Sequence, residues 1–254
     1  MGWRAGPEPS IIPGMRSTVA IALTSLALFL PGELQAGDQP VPPELLGKLA
    51  ATSSRFEAMM HRASFTVTGR MGDVSGDGSL TSPKEGTFRV TMHGATAKVD
   101  ILKYSEDGED KIAEAKKKQE ERAKEARKPR KADDEIHLPF LETEQAKYDF
   151  HIGEVDARDP EHVRVFFHAK APAENLVNGS SWVDARTGDI LTTSVTASKT
   201  PAFVDYLRMQ FELGEKTSMG PAISKVSFEG AGGFLFIRRH FRGTATLASY
   251  AIAP

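Results

Sequence analysis

The sequence predicts a mainly β protein, a meander of antiparallel strands with one N-terminal helix and one charged helical insert. Three observations carry that prediction. First, residues 178–194, NGSSWVDARTGDILTTS, read as a hairpin: Ser180 to Asp184 is one arm and Asp189 to Thr196 the other. Ala185-Arg186-Thr187-Gly188 joins them, with Gly188 placed to take the positive φ of a short loop. A hairpin is not stable alone in water and needs a larger sheet around it. Second, segment after segment alternates apolar and polar residues, as in an antiparallel sheet with one solvated face. Third, only 44–62 and the charged run 106–135 read as helix.

The chain has 254 residues, a length single β domains often reach. It is 40% hydrophobic, enough for one sizeable core. A net charge of −2 gives no basic balance, so nucleic acid is not expected as a partner. The absence of cysteine excludes disulfides, thiolate metal sites, a cysteine nucleophile and lipidation through an N-terminal cysteine.

Residues 1–36 have the layout of a secretory signal peptide: Arg16, the apolar run Thr18 to Leu30, a Pro31-Gly32 break and Leu34-Gln35-Ala36 before the cut. The run is short for a membrane-spanning helix, which would be the rival reading. Residues 37–254 are then one exported domain. Translation starts at Met1 or Met15.

The helix at 44–62 has Pro42-Pro43 at its first turn, where proline is tolerated. Leu45, Leu49, Thr52, Phe56 and Met59 or Met60 form one stripe that packs on the sheet. Phe65, Val67 and Gly69, then Phe88, Val90 and Met92, then Val99 and Ile101, alternate with polar residues on the first strands. Asp73-Val-Ser-Gly-Asp77-Gly78 resembles the start of a calcium loop, but the twelfth position is Lys84 and a strand precedes it. It reads as a hairpin turn. In the insert, Glu114/Lys118, Lys117/Glu121 and Glu120/Lys124 are favourable i,i+4 pairs, and the lack of an apolar face predicts a solvated or projecting helix.

Strands resume with Tyr148, Phe150 and Ile152, turn at Asp159-Pro160, and continue with Val163, Val165 and Phe167. After the hairpin, Phe203, Leu207, Met209, Phe211 and Leu213 occupy alternate positions of one long strand, interrupted by Asp205. Ile223 to Glu229 is another strand, Gly230 to Gly233 turns the chain, Phe234 to Arg242 runs back, and Thr244 to Ile252 closes the sequence. The total is roughly ten or eleven strands. The run FLFI, residues 234–237, is apolar on both sides, so both faces are covered or one lines an apolar hollow. Arg238, His240 and Arg242 share one face and Arg239 the other. The three either meet an anionic head group or form a solvated strand end.

The order of helix, strands, helical insert and long meander resembles the periplasmic lipoprotein carriers of the LolA type, in particular the branch labelled outer-membrane lipoprotein-sorting proteins. Gly179 to Ile190, Pro201 to Leu207 and Gly232 to Arg239 carry the resemblance, which spans about 44–253. It implies an incomplete antiparallel β-barrel wrapped around the N-terminal helix, with a cavity for acyl chains. Leu49, Phe56, Phe203, Leu207, Phe211, Phe234 and Phe236 would line that cavity, with Arg238, His240 and Arg242 at its mouth. Trp182, the tryptophan of the mature chain, would report on occupancy. The implied protein is periplasmic and monomeric, carries lipid or lipoprotein towards the outer membrane, meets an inner- or outer-membrane protein, and needs no cofactor.

Burying an acyl chain is worth roughly 0.8 kcal/mol per methylene, so a carrier needs few specific contacts and leaves little motif signature. G-x-S-x-G, H-E-x-x-H and P-loop motifs are absent, and the seven histidines are scattered. An enzyme is not expected. An envelope sensor on the same fold, docking through the charged helix, and a lipid-modifying enzyme remain the alternatives.

Overall fold

The computed structural model describes residues 39–125, 136–234 and 237–253, the side chains of 122–125, 234 and 237 aside. The leader, the end of the insert and Phe236 therefore lie outside the described residues. The first half of the chain runs β1 (Gln39–Pro40), α1 (Pro43–Met60), β2 (Ala63–Val74), β3 (Leu80–His93), β4 (Thr96–Glu106), β5 (Glu109–Asp110) and α2 (Ile112–Glu125). The second half runs α3 (Glu142–Gln145), β6 (Tyr148–Val155), β7 (His162–Ala169), β8 (Val177–Asp184), β9 (Ile190–Ala197), β10 (Val204–Glu212), β11 (Glu215–Thr217), β12 (Gly220–Ala222), β13 (Lys225–Phe234) and β14 (Ile237–Ile252).

Twelve of these strands form one antiparallel sheet in the order β1-β6-β7-β8-β9-β10-β13-β14-β2-β3-β4-β5. The end strands β1 and β5 are two residues long and do not meet, so the sheet stays an open half-barrel. The ten full-length strands match the number the alternation predicts. β11 and β12 form a separate small hairpin. Among the described residues no helix is long and apolar enough to cross a membrane.

α1 lies against one face of the sheet because its apolar stripe has nowhere else to be buried. Leu45 and Leu49 join a cluster with Val165, Phe167, Val183 and Val195. Phe56 and Met60 join a second cluster with Phe65, Val90, Val226 and Leu247. Phe211 and Leu213 pack against both clusters. Burying each large apolar side chain fully contributes about 1.5–3 kcal/mol, so this contact holds the helix on the sheet.

Three local expectations are corrected. Gly230 to Gly233 do not turn the chain; they lie inside β13, paired with β10 and β14. The Phe241 ring lies across Gly230, and a Cβ there would approach it to 2.4 Å, so the ring would have to move. Second, 237–252 is one strand through Gly243 rather than two, and its first residue Ile237 pairs with Phe234, the last of β13. The middle of the FLFI run, 235–236, lies outside the described residues. Third, a register shift between Val204 and Tyr206 breaks the alternation of β10. Phe203 falls before the strand with φ of 70° and is 60% exposed.

The insert is helical over less of the charged run 106–135 than expected: Glu106 ends β4, Glu109–Asp110 form β5, α2 spans Ile112–Glu125, and 126–135 lie outside the described residues. Glu114 and Lys118 pair at 2.7 Å, and most of α2 is solvated. It also has a narrow half-buried stripe of Ile112, Ala115 and Gln119. Gln119 Nε2 donates to the Val99 carbonyl at 2.7 Å, which lays α2 along the edge of β4. Covering an edge strand in this way blocks pairing with other chains.

Candidate functional site

Strand register decides which side chains share the α1 side of the sheet, because paired residues of an antiparallel sheet point the same way. Three successive cross-strand rows follow from the pairing of β10, β13, β14 and β2. They are Phe211, Val226, Ala245 and Gly69; then Met209, Phe228, Gly243 and Met71; then Leu207, Gly230, Phe241 and Asp73. The first row lies in the core against α1, where Val226 is fully buried. Along the next two the cover runs out. Phe228 is half-buried, and Leu207, Phe241 and Met71 join neither core cluster. Met71 is 41% exposed. The Phe228 and Phe241 rings stand 5.9 Å apart at 56°, each lying over a glycine of the neighbouring strand. The result is a continuous apolar face that begins under α1 and extends past it into solvent.

The predicted lining residues are therefore spread over three settings. Leu49, on the sheet-facing side of α1, is fully buried, and Phe56 and Phe211 are half-buried at the helix–sheet contact. Leu207 is half-buried beyond it, and Phe203 is at the open end. Phe234 pairs with Ile237, its side chain undescribed, and Phe236 lies outside the described residues.

Arg238, His240 and Arg242 do share a face, and it is the outer one. Arg242 is in register with Glu229, and His240 with Ala231 and, across it, Tyr206. Arg242 Nη2 donates to the Gly78 carbonyl at 2.9 Å, and Arg238 lies 3.9 Å from Asp205. The base on the apolar side, two residues from Phe241, is Arg239, which lies 3.6 Å from Asp73. Sequence alternation had separated Arg239 from the other three; only the register says which side the apolar rows occupy.

The register also corrects the place of Trp182. Ser181 and Val183 are buried towards α1, so Trp182 points outward, opposite Arg164 and Thr192. Its emission does not report on the apolar face. Nearby on the outer side, the sheet stacks His151 on Phe166 at 5.0 Å and on His168 at 5.7 Å, a pairing that sequence spacing hides because the residues are on different strands.

The buried stripe of α1 is not wholly apolar. Thr52 and Ser53 come between Leu49 and Phe56, and both are buried. Thr52 Oγ1 accepts from Arg55 Nη2 at 3.0 Å. Ser53 Oγ is completely buried with no hydrogen-bond partner in the chain. A buried unpartnered hydroxyl costs roughly 1–3 kcal/mol, so the helix is held less tightly than its apolar residues alone would hold it.

A hollow of about 790 Å³ lies elsewhere, on the outer face, where Lys225, Thr246, Thr68, Thr87 and Lys103 form one cross-strand row. It is open, and threonine hydroxyls share its lining with Leu102, Tyr104 and Ile112. The calcium-like stretch is a hairpin turn: Asp77 Oδ1 accepts from the Ser75 hydroxyl and the Ser79 amide, which hold its carboxyl down at about 2. Among the described residues no group of three potential ligands could hold a metal ion.

No family model matches the chain, and no curated protein does. Among solved structures the chain is similar to a LolA superfamily protein from Nitrosomonas europaea, at 6% identity and a TM-score of 0.41, over 80% of this chain and 93% of that one. It is also similar to a chain of the MucA/MucB complex of Pseudomonas aeruginosa, at 9% identity and a TM-score of 0.23, over 81% of this chain and 99% of that one. The first is of the superfamily that the sequence resembles. At these TM-scores neither likeness carries a residue, ligand or partner across to this chain.

Proposed function

We propose that the protein is an exported, periplasmic carrier that binds acyl chains of lipid or lipoprotein on the apolar face beneath and beyond α1, and takes them towards the outer membrane. One observation carries this reading: the rows through Met209 and Leu207 continue the core face past the helix, leaving Phe228, Phe241 and Met71 with no full cover. An acyl chain laid there gains about 0.8 kcal/mol per methylene removed from water. The unpartnered Ser53 hydroxyl supports a helix that can move aside to lengthen the site. On this reading the protein acts as a monomer, needs no cofactor and performs no catalysis.

The test is thermal melting followed by circular dichroism, with and without a long-chain fatty acid or a triacylated peptide. Ligand at a hundred times its Kd stabilises by about 2.7 kcal/mol, a rise of several degrees. Leu207→Asp places a carboxylate among the uncovered apolar rows and removes the rise, while its unliganded spectrum stays that of the wild type. A wild-type midpoint that ignores several acyl ligands overturns the proposal.

A further inference from the structure

The end of the sheet where β10 begins and β13 passes to β14 carries an exposed aromatic ring beside exposed bases. Phe203 is 60% exposed and has φ of 70°, a left-handed conformation that a bulky residue rarely adopts. Its surroundings impose that conformation. The Phe203 carbonyl accepts from the Gly233 amide at 2.9 Å, and the Val204 amide donates to the Pro201 carbonyl at 3.1 Å. The strand end thus holds the backbone fixed while the residue stays more than half exposed, although burying a ring of this size is the usual outcome. Backbone strain of this kind is common at functional sites.

Gly233 pairs with Arg238, and Gly232 with Arg239, so both guanidinium groups belong to the same strand ends as Phe203. Their side chains are 74% and 61% exposed. Each has an acidic neighbour, Asp205 at 3.9 Å and Asp73 at 3.6 Å. Exposed pairs at such lengths are weak and readily exchanged for another anion. Arg242, held to the Gly78 carbonyl, brings a third arginine and the β2–β3 turn to this end.

We propose that this end of the half-barrel docks on an anionic membrane surface, with the Phe203 ring entering the interface and Arg238 and Arg239 taking lipid phosphates from their aspartate neighbours. An aromatic anchor flanked by arginines suits the boundary between head groups and acyl chains, and a guanidinium binds phosphate through two parallel hydrogen bonds. Arg239 also lies on the side of Phe241, so a lipid bound there has its acyl chains next to the uncovered rows. The docking rests on the carrier reading only for what is exchanged, not for the contact itself.

Flotation of the protein with vesicles of phosphatidylglycerol and phosphatidylcholine tests it. Binding to anionic vesicles is expected to exceed binding to pure phosphatidylcholine by at least about tenfold and to fall away in high salt. Phe203→Ala weakens binding by about tenfold. The double variant Arg238→Gln with Arg239→Gln weakens it by about thirtyfold, and Lys at both positions restores most of it, which separates lost charge from lost fold. Leu207→Asp still docks while it loses the acyl-dependent rise in melting, so the two readings fail independently. Equal binding to neutral and anionic vesicles, or none to either, overturns the proposal. So does crosslinking at position 203 that captures a protein partner while vesicles go unbound.

Discussion

Gly188 and Lys48 are in contact: a Cβ built on Gly188 would lie 2.5 Å from the Cβ of Lys48 and 2.8 Å from its backbone carbonyl carbon. Gly188 also has φ of 77°. The turn of the β8–β9 hairpin is thus the seat on which α1 rests. Arg55 reinforces the seat from the same helix, 3.7 Å from Asp189.

Gly188→Ala should therefore destabilise through two effects. The left-handed conformation costs about 1 kcal/mol, and the overlap with α1 adds about 2 kcal/mol. Gly78→Ala is the control, with φ of 83° and nothing near its missing Cβ. Urea titrations should give about 3 kcal/mol for the first and about 1 kcal/mol for the second. Equal losses would mean that α1 is not seated on the turn.

Ser53→Ala should raise stability by about 1 kcal/mol, because it removes a buried hydroxyl that has no partner. A midpoint higher by roughly 2–4 °C is the expected reading in a scanning calorimeter. If acyl binding requires α1 to shift, the same variant also takes up ligand more slowly in stopped-flow mixing. A loss of stability on this substitution would show that the hydroxyl is bonded in solution.

Replacing residues 112–135 by a Gly/Ser linker should leave a cooperatively melting sheet, with a midpoint within a few degrees of the wild type. It also uncovers the β4 edge that Gln119 now occupies. Concentration-dependent self-association in sedimentation velocity is the expected new property. A monomer at all concentrations would mean that β4 needs no cover.

Burial pushes the Tyr250 phenol above its ordinary range. Its ring stacks on Phe65 at 5.0 Å, and its hydroxyl donates to the Ile223 carbonyl at 2.8 Å. A raised folded pKa contributes stability that is complete below the unfolded value near 10 and is lost as pH rises beyond it. Stability should thus fall above pH 10, with Tyr250 supplying up to about 1.4 kcal/mol per pH unit. Tyr250→Phe costs about 1 kcal/mol at neutral pH and flattens the alkaline slope. Tyr148 and Tyr206 are shifted the same way, first by burial, and keep some slope in the variant. An unchanged slope would count against burial as the cause.

The period-two alternation by itself determined the antiparallel meander, because residues that alternate in character can bury one side only on a pleated strand. Gly188 marked the hairpin turn, and the stripe from Leu45 to Met59 marked α1, since each rests on local backbone geometry. The tertiary structure decided everything that depends on which strand lies beside which. β14 pairs with β2 across most of the chain's length, and that long-range pairing brings Phe241 to Asp73 and Met71 to Gly243. It also decided which face each arginine and Trp182 occupy. A one-residue register shift, such as the one between Val204 and Tyr206, sends every later side chain to the opposite side, and no local pattern records it. The glycines of 230–233 look like a turn to any local reading. They are strand residues because β10 and β14 pair with them on either side, and those pairings exist only once the chain has folded.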